Sequence, residues 1–342
     1  MSDFEPNRLK MIRSFVFTTK GELRSRDVDR QLLPGLLTDA NVFVWVDLEN
    51  ATPEESKFVM EEVFHFHPLS IEDCLAVSAA PKVEEYTPRE GDQFTCYLFI
   101  VMHTVDYHRT DGVFGTRDLD FFLGKNFLVT YHDGPLRSVT QIEEQAVKGT
   151  MPVARAPDRL AHTLLDAIVE NYKPALDELS LEVAEVEQQA LQRPAPATLN
   201  KIIRLKKEVL HLRRIIGPQA DVLAKFAHGE FKMIRPHLVP YYRDVYDSLL
   251  QISEMAQSYT DSLTGVLQVY LNMSSNQTGE VVKLLTLITV ITTPLMMIGT
   301  WYGMNFKNMP ELTWQHGYLI AASVTVCSTL GTIAYFKWRK WF

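Results

Sequence analysis
The sequence predicts an α+β domain followed by a long stalk helix and two membrane-crossing helices, on three observations. β-branched and aromatic runs bounded by turn residues fill the chain to about residue 150. Apolar or small residues then recur at alternating spacings of four and three from Val245 to Met273. Finally, Leu284 to Phe306 and Leu312 to Phe336 contain no Asp, Glu, Lys or Arg. Each of these runs exceeds the roughly 20 residues, at about 1.5 Å rise, that cross a bilayer core. The competing reading is a buried helical hairpin of a soluble domain, but two such runs in series rarely occur in water-soluble cores.

In the first part, "SFVFTT", "NVFVWVDL", "FTCYLFIVMHTV", "LDFFLG" and "NFLVTYH" read as strands, the last two joined as a hairpin at Gly124-Lys125-Asn126. "TPEESKFVMEEVFHF" reads as a helix with Thr52 as N-cap and Pro53 at its first position. These elements make up residues 1–155. Residues 156–240 read as a helical pair broken at Arg193-Pro194-Ala195-Pro196, the first helix acidic on its exposed side and the second basic. Complementary solvated faces of an antiparallel pair explain this best, and an acidic surface that concentrates cations is the alternative.

Residues 241–282 form the stalk, with Val245, Leu249, Ile252, Ala256, Tyr259, Leu263, Val266, Tyr270 and Met273 on one seam. The seam leads into the first membrane run, so one helix of about 60 residues, roughly 90 Å long, serves both. A seam of this length implies a bundle of several copies; packing within one chain competes with that reading. The spans are 283–302 and 317–336, with an external loop at 303–316 and a basic tail at 337–342. Lys283, Lys337, Arg339 and Lys340 flank the spans while the loop holds only Lys307, so both termini face the cytoplasm.

Composition narrows the function. A formal net charge of −8 with 22% charged residues offers no basic face for nucleic acid and suits partners that are cations. Cys74, Cys96 and Cys327 are too scattered for a disulfide framework or a thiolate metal centre. The N-terminus carries acidic residues and no apolar core, unlike a secretory signal. No nucleophile–base set or phosphate-binding loop appears, which argues against an enzyme. His65 and His67, two apart with no thiolate near, are insufficient for zinc.

Within the first span Thr286, Thr289, Thr293 and Thr300 fall in an arc of about 60°, with Val282 one turn below. Such a hydroxyl stripe suits a surface that meets water or ions, although Thr can also bond back to its own helix. Two helices per chain cannot enclose an aqueous path, so a pore requires several copies. Gly303 reads as a helix terminator that places Asn305 at the outer mouth. A ring of carboxamides would accept hydrogen bonds from the water around Mg2+, an ion that dehydrates reluctantly. Glu311 in the loop would raise the local cation concentration.

Tyr302-Gly303-Met304-Asn305-Phe306, then Met309-Pro310-Glu311-Leu312 and a basic C-terminus, resembles the signature of the CorA family of divalent-cation channels. "VPYYRDVYD", "HPLSIEDCL" and "PKVEEY" extend the resemblance over most of the chain. It implies a homopentameric, funnel-shaped channel of the inner membrane for Mg2+, also permeable to Co2+ and Ni2+. By family register the selectivity filter is Gly303, Met304 and Asn305, and the pore is lined by Gly279, Val282, Leu285, Thr289, Thr293 and Met296. The chain departs from the commonest pattern at Gly279, where Asn is frequent, and at Thr293, where Met is. The family's zinc-transporting branch carries a glycine-rich sequence after Gly-Met-Asn, which "FKNMPEL" lacks. A zinc transporter and a non-conducting, membrane-tethered metal sensor are the alternatives.

The resemblance also implies that cytoplasmic Mg2+ bridges neighbouring subunits and closes the channel, through Glu72, Asp73 and Asp244. Read from the residues alone, Ser70 to Asp73 is equally a helix start with Asp73 in a capping box, and Asp244 a solvated charge beside Arg243.

Overall fold
The structure, a computed structural model, describes residues 12–76, 80–110, 113–148, 155–192, 195–306, 309–310 and 314–341. They fall into two compact units. One comprises residues 1–187 and 200–265, the other 188–199 and 266–342.

The first unit is built on a seven-stranded sheet of order β2-β1-β3-β7-β6-β5-β4. Its strands are β1 (Ile12–Thr18), β2 (Leu23–Arg26), β3 (Val42–Glu49), β4 (Lys82–Tyr86), β5 (Tyr97–Thr110), β6 (Val113–Gly124) and β7 (Phe127–His132). Only β3 and β7 run parallel. That pair sits mid-sheet, and β3 is an unbroken buried run because both of its faces are covered. The β6–β7 hairpin turns at Lys125-Asn126, as the sequence predicts.

One face packs under α1 (Leu33–Leu37), α2 (Pro53–Lys57, continuing as a π-turn to Val63) and α3 (Pro68–Leu75). α2 opens with the predicted capping box, Thr52 accepting from the Glu55 amide while the Glu55 carboxylate accepts from the Thr52 amide. Helices α4 (Arg137–Val147) and α5 (Pro157–Glu170) follow, α5 lying against β3, β5, β6 and β7.

Asp47, fully buried in β3, is held by Arg13 at 2.7 Å, His132 at 3.3 Å and the Thr130 hydroxyl. Arg13 also meets Glu49 at 2.6 Å and Glu143 at 2.8 Å, the latter an ion pair too poorly angled to be a hydrogen bond. Burial and then the Asp47 charge push the Glu143 carboxyl up to about 7. Arg13, shared among three carboxylates, stays charged while Glu143 is driven towards neutrality.

The helical region differs from the expected pair. A turn at Asn171 divides the first predicted helix into α5 and α6 (Tyr172–Gln192), and α7 (Pro196–Ala227) runs on through Gly217-Pro218. The complementary faces do pair, Lys201 with Glu185 at 2.6 Å and Arg204 with Glu182 at 2.7 Å.

α8 runs unbroken from Val239 to Tyr302, 64 residues or about 96 Å. Its stalk seam is covered by the chain's own side chains. Val245, Leu249, Ile252, Ala256 and Leu263 are at most 2% exposed, with Tyr242 stacked on Phe226 of α7 and donating to the Asp158 carbonyl of α5. Packing within one chain therefore accounts for the seam from Val245 to Leu263, and that stretch is no evidence for a bundle of several copies. Tyr259 is only half-buried, and Thr260 takes the adjoining buried position.

In the second unit, which holds α8 from residue 266 on, α8 and α9 (Gly317–Trp338) are, among the described residues, the two helices long and apolar enough to cross a membrane. Their apolar windows are only 6% buried within the chain, unlike the core helices of a soluble protein.

Candidate functional site
The candidate pore positions share one side of α8. At 100° per residue Gly279, Val282, Leu285, Thr289, Thr293 and Met296 occupy an arc of about 120°. All six are exposed, Leu285 and Met296 by 64% and 65%. The buried residue of this stretch, Leu287, projects from the other side. The side of α8 that carries the candidate lumen is thus bare in a single chain.

The threonine hydroxyls do bond back to the helix. Thr286 donates to the Val282 carbonyl, Thr289 to Leu285, Thr293 to Thr289 and Thr300 to Met296, at 2.7–2.8 Å. Each hydroxyl proton is thereby used, but the oxygen keeps acceptor capacity. The stripe is a row of acceptors, a polarity that suits the hydrogens of water around a cation.

α8 ends at Tyr302, and Met304 and Asn305 follow it exposed. Gly303 follows the helix end without the left-handed backbone expected of a glycine terminator. A Cβ there would lie 3.0 Å from the Gly299 carbonyl oxygen, so the missing side chain permits a close last turn. Glu311 lies outside the described residues.

The acidic candidates are distributed over two elements. Glu72 is exposed and Asp73 half-exposed in the latter part of α3, whose N-cap is His67, its Nδ1 accepting from the Leu69 amide at 3.2 Å. Asp73 therefore takes no part in a capping box. Ser70 bonds to the His67 carbonyl and Tyr97 instead. The Asp73 carboxylate accepts from Lys82 at 2.5 Å, and Lys82 also reaches Glu84 at 3.1 Å. His65 Nδ1 meets the Glu61 carbonyl at 2.8 Å.

Asp244 stands exposed in the second turn of α8. The sequence reading missed its neighbour Asp166 of α5, whose carboxyl is raised first by burial and then by the charges of Glu170 and Asp244. The spacing of Asp166 and Glu170 puts both on one face of α5, but nothing local signals that α8 lies beside it. Glu72 and Asp73 stand on α3 and Asp244 on α8.

Residues 40–338 match a protein family described as CorA-like Mg2+ transporter protein. The cobalt/magnesium transport protein CorA of Thermotoga maritima is 32% identical over 322 residues, covering 94% of this chain and 88% of the relative. That of Methanocaldococcus jannaschii is 21% identical over 303 residues, covering 87% and 91%. The complete structure of the CorA magnesium transporter from Methanocaldococcus jannaschii superposes with a TM-score of 0.79 at 18% identity, covering 97% of this chain and 99% of that one.

Proposed function
The chain belongs to the CorA-like Mg2+ transporter family, and from that premise we propose that it is a channel admitting Mg2+, and also Co2+ and Ni2+, across the cell membrane. The observation that carries this reading is the bare side of α8, apolar and threonine-bearing, that leads from Gly279 to Met296 and ends at Gly303-Met304-Asn305. Copies of α8, five in the resembling family, enclose the path with that side inward. Asn305 rings the outer mouth, where its carboxamide oxygen accepts from the ion's water without trapping the ion as a carboxylate would. Below it the threonine oxygens keep the path wet, while Val282 and Leu285 form a constriction that closes by dewetting. The driving force is the membrane potential, ~2.3 kcal/mol per charge per 100 mV, twice that for a divalent ion.

Both termini lie in the cytoplasm, where Glu72 and Asp73 of one copy and Asp244 of the next share Mg2+. The bridge holds the pore shut, and when cytoplasmic Mg2+ falls, carboxylate repulsion releases it. The single-chain ion pair of Asp73 with Lys82 is the competitor that Mg2+ must displace. Asp166, whose carboxyl is raised first by burial and also by the Asp244 charge, stands on that side of the site.

Complementation tests the reading. Wild type restores growth of a Mg2+-transport-deficient cell at low Mg2+, and Asn305→Ala does not; full rescue by the variant rejects the assignment. Uptake of Mg2+ and Zn2+ measured side by side separates a magnesium from a zinc transporter.

A further inference from the structure
A pocket of about 150 Å³ lies at the C-terminal end of α3, lined by Cys74 and Ala76 and by none of the residues assigned to conduction or to bridging. Alternation along β6 sends Thr116, Asp118 and Asp120 to one face, and all three line it, with Asp133 from the turn after β7. Asp120 is 2% exposed, and its Oδ1 has no hydrogen-bond partner. A buried oxygen left unpaired costs on the order of 1–3 kcal/mol, more if charged, so this atom marks where a donor or a cation belongs.

The charges point to a cation. Asp118 meets His103 Nδ1 at 2.5 Å, and Arg117 donates to the Pro135 carbonyl at 3.2 Å. Three carboxyl groups, of Asp118, Asp120 and Asp133, and one guanidinium, of Arg117, line the pocket, where Cys74 bonds to Asp120. α3 ends on the pocket at Ala76, and the carbonyl end of a helix attracts positive charge.

We propose that this pocket is a site, complete within one subunit, for a single hydrated divalent cation of the Mg2+ type, held by Asp118, Asp120 and Asp133 beneath the carbonyl end of α3. Among the described residues no three His, Cys, Asp or Glu side chains converge closely enough to ligate a bare ion. The carboxylates therefore engage the ion through its water, which Mg2+ gives up reluctantly. Occupancy steadies the end of the helix that carries Glu72 and Asp73, tying the posture of the sensing carboxylates to a second, local reading of the ion.

Calorimetric titration of full-length detergent-purified protein with MgCl2 tests this, in a D73N/D244N background that removes the bridging carboxylates. Asp120→Asn and the pair D118N/D133N each lose one Mg2+ per chain relative to that background. Unchanged stoichiometry and affinity in both variants would mean that the pocket holds water only, and would overturn the proposal. So would loss in D120N with full retention in D118N/D133N. Asp118 and Asp133 are partly or fully exposed, so their variant keeps the test decisive if D120N folds poorly. The readout is equilibrium binding, so it stands or falls separately from the conduction reading.

Discussion

Replacing Lys82 by Met should make the channel more sensitive to inhibition by cytoplasmic Mg2+. In a single chain the Lys82 ammonium lies 2.5 Å from the Asp73 carboxylate and 3.1 Å from Glu84. Burial pulls its pKa down, but hydrogen bonds to Asp73 and Glu84 outweigh this and hold it above the ordinary lysine range. The cation is therefore always present at the carboxylate that Mg2+ must recruit. The pair is partly open to water, with side chains 28% and 40% exposed, and its worth is that of a surface ion pair, about 0.2–1 kcal/mol. Removing it lowers the Mg2+ concentration for half-inhibition by about 1.4- to 5-fold. The assay is Mg2+ entry into proteoliposomes of defined orientation as Mg2+ on the cytoplasmic side is varied. An unchanged or raised half-inhibition concentration would show that Asp73 is not a ligand of the closing ion.

Three further outcomes follow from other parts of the molecule. Glu143 titrates near 7 in the fold, above the ordinary carboxylate range, so the native state holds the extra proton between about 4.5 and about 7. Its contribution is complete below that window and is lost as pH rises through it. Relative to Glu143→Gln, wild type should therefore lose thermal stability from pH 4.5 to 8, and a constant difference between their melting temperatures would refute this. Leu249→Ala, at a fully buried seam position, should cost about 2.7–5 kcal/mol of stability in chemical denaturation without changing the number of subunits seen by native mass spectrometry. Dissociation of the assembly with stability unchanged would return the seam to a role between copies. Asn305→Ala should abolish Mg2+ flux while leaving the protein folded and assembled, checked by the same mass measurement.

Local signals in the sequence were faithful to the structure where the physics is local. Thr52 and Glu55 announce a capping box, Lys125-Asn126 a hairpin turn, and the complementary charges around Glu185 and Lys201 a helix contact. β2, the exposed "LRSR", has no apolar alternation to betray it and exists because β1 offers it an edge. The break at Asn171 falls just before Pro174, which has no N–H to donate to the Glu170 carbonyl and sits in the first turn of α6, a proline signal the sequence reading passed over, whereas α7 passes Pro218 against local preference. The seam of α8 illustrates a deeper limit. A four-three spacing records that a helix face is covered, but says nothing of whether the cover is the same chain or another. Coverage by α5 and α7 became visible only with Tyr242 against Phe226 and Asp158. At the candidate site the motif at Gly303 to Asn305 was legible by type and place. The partners of Asp73, Asp166 and Asp120 were not, since Lys82, Asp244 and Cys74 reach them through tertiary packing.

The most direct test is Mg2+ flux into liposomes containing purified wild type or Asn305→Ala, under an imposed potential negative at the cytoplasmic side. Wild type should admit Mg2+ when that side holds none and stop as Mg2+ accumulates there, and the variant should admit none in either state. Equal flux through both proteins, or liposomes that stay impermeable with wild type fully assembled, would contradict a pore guarded by a ring of carboxamides.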